Sequence, residues 1–509
     1  MSAPSPLRST RLLKNTGLNL IGQIIPGVVA LVATPVLIHG LGLERFGVLS
    51  LIWVLQTYFG LFDFGLGRAV TKHVAEALGR RESDRVRSIV WTSLALITVL
   101  GLVGSFTFFL LTPVLVKQLF HVSADMVSET ERIFRIISIS VPVLLISGTL
   151  SGVLEAYQRF DLVNLVKAPS ISLTFLILAT AVVFGAGLPA MVLLLLIKDF
   201  VFVGAYLMLC IRLLPKGPPV SLNFKEVPRL LYFGGWMTAI FISAWLASYL
   251  DRLMIGARLS MADLAYYAPP YDFVSKLLIV PASLYLTLFP AFSAIGREQR
   301  ATIEVLYVRA SKYLFLVSGL LTLVLLMFAD EILRLWLGRE FAQHSSQVFR
   351  ILVVGFFLNA QAWIPSTLLQ GIGRPDLVAK IFLSELPFYI GILWWLIGGR
   401  GIEGAALAWA VRGGVEAVLF HWTAWRIGRY RAAAFLRNGA ATGIVMLWVA
   451  TAAWFTVDRV FQKSWEVEYL LFSGMLVLFG WIAWRRVLDW NERSALLKYF
   501  KPDPNPRVE

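Results

Sequence analysis

Several charged side chains fall inside long apolar runs of this sequence. Lys198 and Asp199 lie in one run, Lys276 lies in another, and Arg412 and Glu416 lie in a third. An ionisable group near the middle of a bilayer costs about 2.5 kcal/mol or more, so it is by default a candidate for function. These residue types predict binding of charge within a membrane.

The spacing of opposite charges offers a second interpretation. Asp272 and Lys276 are four residues apart, as are Arg412 and Glu416. Residues four apart share a helix face, so each pair can neutralise itself and hold helices together. For Lys276 the spacing leaves both a binding role and a structural role open. For Lys198 and Arg412 we favour a structural role within the helix bundle.

Further polar residues extend the candidate set. Asp251 and Arg252 lie near one end of an apolar run, where Arg252 can equally extend to the membrane surface. Asn19 and Gln23 are four residues apart in the first apolar run and share a helical face. With Arg45, which follows that run, these side chains are candidate contacts for a cargo.

Catalytic and cofactor motifs are absent from the sequence. The dipeptide Gly-Lys does not occur, so there is no Walker A motif, and the five histidines show no HExxH spacing. The single cysteine, Cys210, excludes an internal disulfide and any CxxC motif. We therefore predict no catalytic residue, no metal site and no cofactor, and we expect that the chain is not an enzyme.

The elements that position these residues are apolar runs long enough to cross a bilayer. Hydrophobic residues make up 58% of the chain and charged residues 15%, with a mean hydropathy of +0.74, which exceeds what a soluble core can bury. A spanning helix needs about 20 apolar residues. Fourteen runs approach this length: 16–39, 46–66, 89–115, 134–156, 168–187, 190–211, 231–256, 265–294, 313–337, 349–370, 381–398, 402–424, 439–457 and 468–484.

The distribution of Lys and Arg predicts the orientation. With the N-terminus in the cytoplasm and alternating spans, inside segments carry 31 of the 46 Lys and Arg residues and outside segments carry nine. This asymmetry follows the positive-inside rule and predicts cytoplasmic termini. It also accounts for the net charge of +15 without nucleic acid as a partner.

Two pairs of segments suggest an internal repeat. Residues 157–167 align with 370–380 at an offset of 215, and 187–198 align with 401–412 at an offset of 214. Each half would hold six helices in the same orientation. We predict an all-α membrane protein with these domains: a first lobe over 1–213, a cytoplasmic linker over 214–229, a second lobe over 230–425, and two extra helices with a cytoplasmic tail over 426–509.

Several segments also resemble one known group of membrane proteins. These are the N-terminal NTGLNLIGQ, GLFDFGLGRAVTKHVAE at the end of the second run, EAYQRFDLVNLV after the fourth, and YLDRLMIGARLSMADLAYYAPPYDF across the seventh and eighth. They resemble Wzx-type flippases for O-antigen and exopolysaccharide repeat units, of the multidrug/oligosaccharidyl-lipid/polysaccharide superfamily. The resemblance implies two six-helix lobes around a central cavity that opens alternately to either side. It also implies that spans one, two, seven and eight line that cavity.

The function implied by the resemblance is transport of a polyprenyl-pyrophosphate-linked oligosaccharide across the bacterial cytoplasmic (inner) membrane. Its expected partners are this lipid-linked cargo, membrane lipid, and the polymerase and glycosyltransferases of polysaccharide assembly. The alternatives are a multidrug cation antiporter of the same superfamily and, less favoured, a membrane-embedded glycosyltransferase or polymerase.

A mechanism follows from placing Lys276 on a cavity-lining span. Lys276, aided by Arg252 and Arg45, would contact the pyrophosphate, while Asp272 would hold Lys276 when the cavity is empty. A coupled proton or sodium ion on Asp272 or Asp251 and uncoupled flipping are all compatible with this sequence.

Overall fold

All regular elements in the described part of the chain are helices. The computed structural model describes residues 25–214, 248–295 and 299–428, with isolated positions at 227–228, 473–474, 477, 480–481 and 484–485. The all-α prediction is confirmed for these residues. The helices are α1 Ile25–Leu41, α2 Leu43–Phe59, α3 Leu66–Gly79, α4 Ser83–Val114, α5 Val127–Ser138, α6 Ser140–Ala156, α7 Phe160–Val183, α8 Leu188–Leu213, α9 248–258, α10 Met261–Lys276, α11 Ile279–Ile295, α12 Arg300–Met327, α13 Ala329–Leu337, α14 Arg339–Gly371 and α15 Pro375–Gly428.

Eight helical stretches within the described ranges are long and apolar enough to cross a membrane. They coincide with predicted spans three to six and eight to twelve, spans eleven and twelve being joined in α15, and the chain is a multi-pass membrane protein. The count of fourteen stays a prediction. The stretches are Ser83–Leu119, Val127–Ala156, Phe160–Val183, Leu188–Leu213, Met261–Ile295, Arg300–Met327, Arg339–Gly371 and Pro375–Ile427.

The outer face of α4 shows why these helices need lipid. Val99, Leu102, Val103, Phe106 and Leu110 are each 57–64% exposed. A continuous apolar face of this kind would cause aggregation in water. In a bilayer it contacts acyl chains, while the helix satisfies its own backbone hydrogen bonds.

Glycines allow neighbouring helices to approach closely. In α6, a Cβ on Gly152 would lie 2.9 Å from the carbonyl oxygen of Gly67 in α3, where Thr71 Oγ1 donates to the Gly152 carbonyl at 3.1 Å. In α14, a Cβ on Gly355 would lie 2.5 Å from the Trp409 ring. Small residues at such contacts are the usual basis of helix packing in membranes.

The described helices form two compact units. The first comprises described residues up to Pro269 together with Leu393–Ala405. The second comprises Pro270–Ile392 and the described residues from Ala406 onwards. Within α15, Gly401 adopts φ 55° and ψ −133°, which divides the helix into two segments between predicted spans eleven and twelve.

The predicted repeat has a matching local structure at its best-aligned segment. Arg159 N donates to the Leu154 carbonyl at 3.0 Å, and Arg374 N donates to the Leu369 carbonyl at 2.8 Å. Each of these hydrogen bonds closes a six-residue turn at the end of a helix, in the Schellman pattern, and we call this turn a helix closure. The two helix closures are 215 residues apart.

Each closure is followed by the same ion pair. Arg159 Nε donates to Asp161 Oδ1 at 2.9 Å, and Arg374 Nε donates to Asp376 Oδ1 at 2.9 Å. The hydrogen bond to the aspartate raises the pKa of Arg159 and of Arg374 above its usual value. The helix closure and the Arg–Asp ion pair that follows it are therefore both repeated at this offset.

Candidate functional site

A buried cluster of charges lies in the second unit, around Arg412 of α15. Arg412 Nε donates to Glu385 Oε1 at 3.2 Å, and Arg412 Nη2 lies 3.5 Å from Glu416 Oε2. Asn359 of α14 donates from Nδ2 to Glu416 Oε2 at 3.1 Å. The Arg412 guanidinium also lies 5.3 Å from the ring centroid of Tyr389.

This cluster contains one predicted ion pair and one contact that spacing did not predict. The pair between Arg412 and Glu416, four residues apart, is present. Glu385 is 27 residues from Arg412 and reaches it because the kink at Gly401 turns α15 back on itself. The arrangement can neutralise charge within the membrane and can hold or release a proton.

The corresponding candidate in the first unit is Lys198 of α8. Lys198 Nζ lies 2.9 Å from Asp199 Oδ1 and donates to Thr174 Oγ1 at 2.7 Å. It also donates to the carbonyl of Ser170 at 3.5 Å. These contacts join α7 to α8.

Asp251 and Arg252 are both buried in the first unit. Asp251 is fully buried, and its Oδ2 accepts a hydrogen bond from Tyr267 at 2.5 Å. Its Oδ1 accepts from the backbone N–H of Arg252 at 2.8 Å, and the Arg252 guanidinium lies 5.5 Å from the Tyr249 ring. Arg252 therefore lies against aromatic surface and is only 5% exposed.

Lys276 occupies the last position of α10 and is exposed. Its Nζ donates to the backbone carbonyl of Asp272 at 3.2 Å. Ser275 Oγ donates to the same carbonyl at 3.1 Å. A carbonyl partner is neutral, so this contact leaves the Lys276 charge available to an anion.

The remaining cargo candidates lie elsewhere. Arg45 is exposed at the start of α2 and forms an ion pair with Glu129 of α5, with an Nη2–Oε2 distance of 3.1 Å. Asn19 and Gln23 lie outside the described residues.

Sequence reasoning missed the partners that are distant along the chain. Glu385 is a carboxylate within predicted span eleven, but nothing in its spacing connects it to Arg412. Tyr267 and Asn359 are ordinary apolar-run residues by sequence, and only the packing of their helices gives them roles. A tyrosine or asparagine on a span next to an intramembrane charge is the signal that could have found them.

In the ranges that the structure describes, no group of three or more His, Cys, Asp or Glu side chains could hold a metal ion. The cluster around Arg412 has only two carboxylates, and a guanidinium occupies the space between them. Two carboxylates beside one guanidinium can balance charge and can take up or release a proton.

Comparisons with known proteins give consistent results. The chain is 29% identical over 415 residues to a candidate O-antigen transporter of Shigella flexneri, which covers 81% of this chain and 97% of that protein. Its fold is similar to the lipid II flippase MurJ in an inward closed conformation, with a TM-score of 0.70, 13% identity and coverage of 91% and 98%. It is also similar to a multidrug resistance MATE family transporter of the MOP superfamily in an inward-facing conformation, with a TM-score of 0.65, 15% identity and coverage of 82% and 98%.

The family follows from a direct match. The model of the polysaccharide biosynthesis protein family matches residues 12–296. This range includes all four segments quoted in the sequence analysis. The expected family resemblance is confirmed. Because the match spans more than half of the chain, this chain belongs to the polysaccharide biosynthesis protein family.

Proposed function

We propose that this chain is a flippase that moves a polyprenyl-pyrophosphate-linked oligosaccharide across the cytoplasmic membrane for cell-surface polysaccharide assembly. The observation that carries this proposal is the family match over residues 12–296. The similarity to a candidate O-antigen transporter over 97% of its length supports it. Glycosyltransferases and a polymerase of the same assembly process are its proposed partners.

The physical task of such a protein is limited. The polyprenyl tail can remain in lipid, whereas the sugars and pyrophosphate cannot cross hydrocarbon without water or polar partners. A wet cavity that opens to one side and then the other, with a cation for the pyrophosphate, is sufficient. We assign the chain no catalytic step.

Lys276 is the proposed pyrophosphate contact. Its exposed position at the end of α10 and its contact with a neutral carbonyl support this role. Arg252 and Arg45 remain proposed auxiliaries, although Arg252 is buried against Tyr249 and Arg45 is paired with Glu129. A mobile ammonium group can bind the anion and release it, as transport requires.

Mutation of Lys276 tests the proposed contact. Lys276→Ala should abolish transfer of the lipid-linked oligosaccharide between the two leaflets of reconstituted vesicles, with normal protein abundance in the membrane. Lys276→Arg should retain part of the activity because the charge survives. Lys380→Ala, at an exposed cation of the same unit, is the matched control and should transport normally. Full activity of Lys276→Ala would refute the assignment.

A multidrug cation antiporter is the second candidate, because the fold also resembles a MATE family transporter. Such a protein would bind a cationic drug through carboxylates. Transport of ethidium, but not of a lipid-linked oligosaccharide, by the reconstituted protein would favour this alternative.

The proposed orientation has fourteen spans with both termini in the cytoplasm. Reporter fusions after residues 122 and 461 should lie in the periplasm, and a fusion after residue 82 should lie in the cytoplasm. A periplasmic signal at residue 82 would contradict the orientation.

A further inference from the structure

The Arg412 cluster contains unequal numbers of opposite charges. Glu385 and Glu416 both contact Arg412, with nitrogen–oxygen distances of 3.2 and 3.5 Å. The three side chains belong to residues that are 3%, 6% and 9% exposed, in the order Glu385, Glu416 and Arg412. With both glutamates ionised, the contacts in the described part of the chain would leave one surplus negative charge.

Within the described residues, the groups that face the cluster do not supply a second cation. Besides the two glutamates, the electrostatic neighbours of Arg412 include Tyr389 on its own helix and Tyr271 on α10. Asn359 on α14 contributes a neutral amide.

By sequence, the undescribed parts of the predicted spans add no cation. Residues 16–24, 231–247, 439–457 and 468–484 contain no Lys or Arg. An unmatched charge at this depth would cost several kcal/mol. Two carboxylates that share one site avoid this cost when one of them binds a proton.

The hydrogen bonds indicate which carboxyl group holds the proton. Glu416 Oε2 accepts from Asn359 and lies 3.5 Å from Arg412 Nη2, so an ionised carboxylate there has partners. Glu385 uses Oε1 to accept from Arg412, whereas its buried Oε2 has no hydrogen-bond partner among the described residues. A buried oxygen without a partner costs less on a neutral carboxyl group than on an ionised carboxylate, so the proton is better placed on Glu385.

We propose that Glu385 and Glu416 share a single exchangeable proton, carried on Oε2 of Glu385, and that exchange of this proton with water drives transport. Binding forms one O–H bond at Glu385 and makes the cluster neutral, and release breaks that bond and restores the second carboxylate. The driving role rests on the proposed flippase function, whereas the proton site does not. A metal ion is disfavoured because the Arg412 guanidinium lies within 3.5 Å of both carboxylates.

Infrared spectroscopy of the reconstituted full-length protein tests the proton site. At neutral pH the wild type should show a protonated carboxyl band that shifts in deuterium oxide. Glu385→Gln and Glu416→Gln should each reduce this band by the same amount, because either change leaves one carboxylate for Arg412. Asp376→Asn, at an exposed carboxylate, should leave the band unchanged. A band that is unaffected by both glutamine variants would overturn the proposal.

Transport in proteoliposomes tests the driving role, with a fluorescent polyprenyl-pyrophosphate oligosaccharide as the probe. A gradient of one pH unit should produce about a tenfold imbalance of the probe between leaflets, since one unit corresponds to a factor of ten in equilibrium. Glu385→Gln should equilibrate the probe without any imbalance.

The other outcomes separate the two proposals. Wild-type protein that moves the probe equally with and without a pH gradient, or that responds to a sodium gradient instead, refutes proton coupling and leaves the flippase function intact. Wild-type protein that never moves the probe refutes the flippase function and, with it, the coupling. The infrared band then still decides whether the proton site exists.

Discussion

The two units contain cations at positions that the sequence repeat relates, Lys198 and Arg412, but their surroundings differ. Among the described residues, Lys198 has one carboxylate, Asp199, and neutral oxygens from Thr174 and Ser170. Arg412 has two carboxylates and a neutral amide beside one of them. The contacts of the first site pair one cation with one carboxylate, whereas those of the second site pair one cation with two carboxylates.

This difference shows what an internal repeat preserves in a membrane protein. A cation within a span needs some partner, so a cation and a partner persist at both positions. The identity and number of the partners are free to diverge, because several arrangements satisfy the cation. A surplus carboxylate distinguishes a site that can change its charge from one that only holds helices together.

Replacing each cation by leucine should give the largest loss of stability, and the size of the loss should distinguish the two sites. Arg412→Leu leaves two buried carboxylates without their partner and should lower the free energy of unfolding by about 3–5 kcal/mol. Lys198→Leu leaves one carboxylate and loses a hydrogen bond to Thr174, for a cost of about 1–3 kcal/mol. Thermal unfolding of the purified proteins in one detergent measures both.

The control is Lys380→Leu, which removes an exposed cation and should leave the unfolding temperature unchanged. Equal losses for Arg412→Leu and Lys198→Leu would mean that the extra carboxylate contributes nothing to the difference between the sites.

Removal of one carboxylate should have unequal consequences at the two sites. Asp199→Asn takes the only carboxylate partner described for Lys198 and should cost about 1–3 kcal/mol, because a nearly buried ammonium is left with neutral oxygens. Glu385→Gln leaves Arg412 with Glu416 and should change the free energy of unfolding by less than about 1 kcal/mol. The same detergent measurement compares them, and a larger loss for Glu385→Gln would contradict the charge count.

The elements were more predictable from the sequence than the site was. Apolar runs of bilayer length predict spanning helices because lipid leaves the backbone no other way to satisfy its hydrogen bonds. The pair Arg412 and Glu416 was predictable because its geometry is local to one helix. Glu385 was not assigned to that pair, because the fold of α15 at Gly401 determines which residues meet across 27 positions.

The helix closures near 158 and 373 show the same limit on a smaller scale. The aligned Arg-x-Asp sequences predicted related positions, and Arg159 and Arg374 do form equivalent ion pairs. The sequence gives no sign that Gln158 adopts the left-handed conformation of Gly373, with φ 59° and 75°. Glutamine rarely adopts it, so only the preserved hydrogen bonds reveal the equivalence.

The smallest expected effect comes from exchanging these two residues. Left-handed backbone costs a non-glycine residue about 1–2 kcal/mol, and a Cβ on Gly373 would meet nothing within 4 Å, so strain alone should decide the result. Gly373→Gln should therefore lower the free energy of unfolding by about 1 kcal/mol. Gln158→Gly should raise it by less than about 1 kcal/mol, because glycine also gains freedom in the unfolded chain.

Gln158→Ala distinguishes strain from side-chain contacts. It keeps the left-handed strain and loses only a weak hydrogen bond, from Nε2 to the Glu155 carbonyl at 3.5 Å, so thermal unfolding should be unchanged. Gly373→Gln and Gln158→Gly must then shift the unfolding temperature in opposite directions. Shifts of the same sign would mean that the surroundings of the two helix closures constrain the backbone differently, despite the matching hydrogen bonds. The repeat would then preserve the order of the helices but not the energetics of these closures.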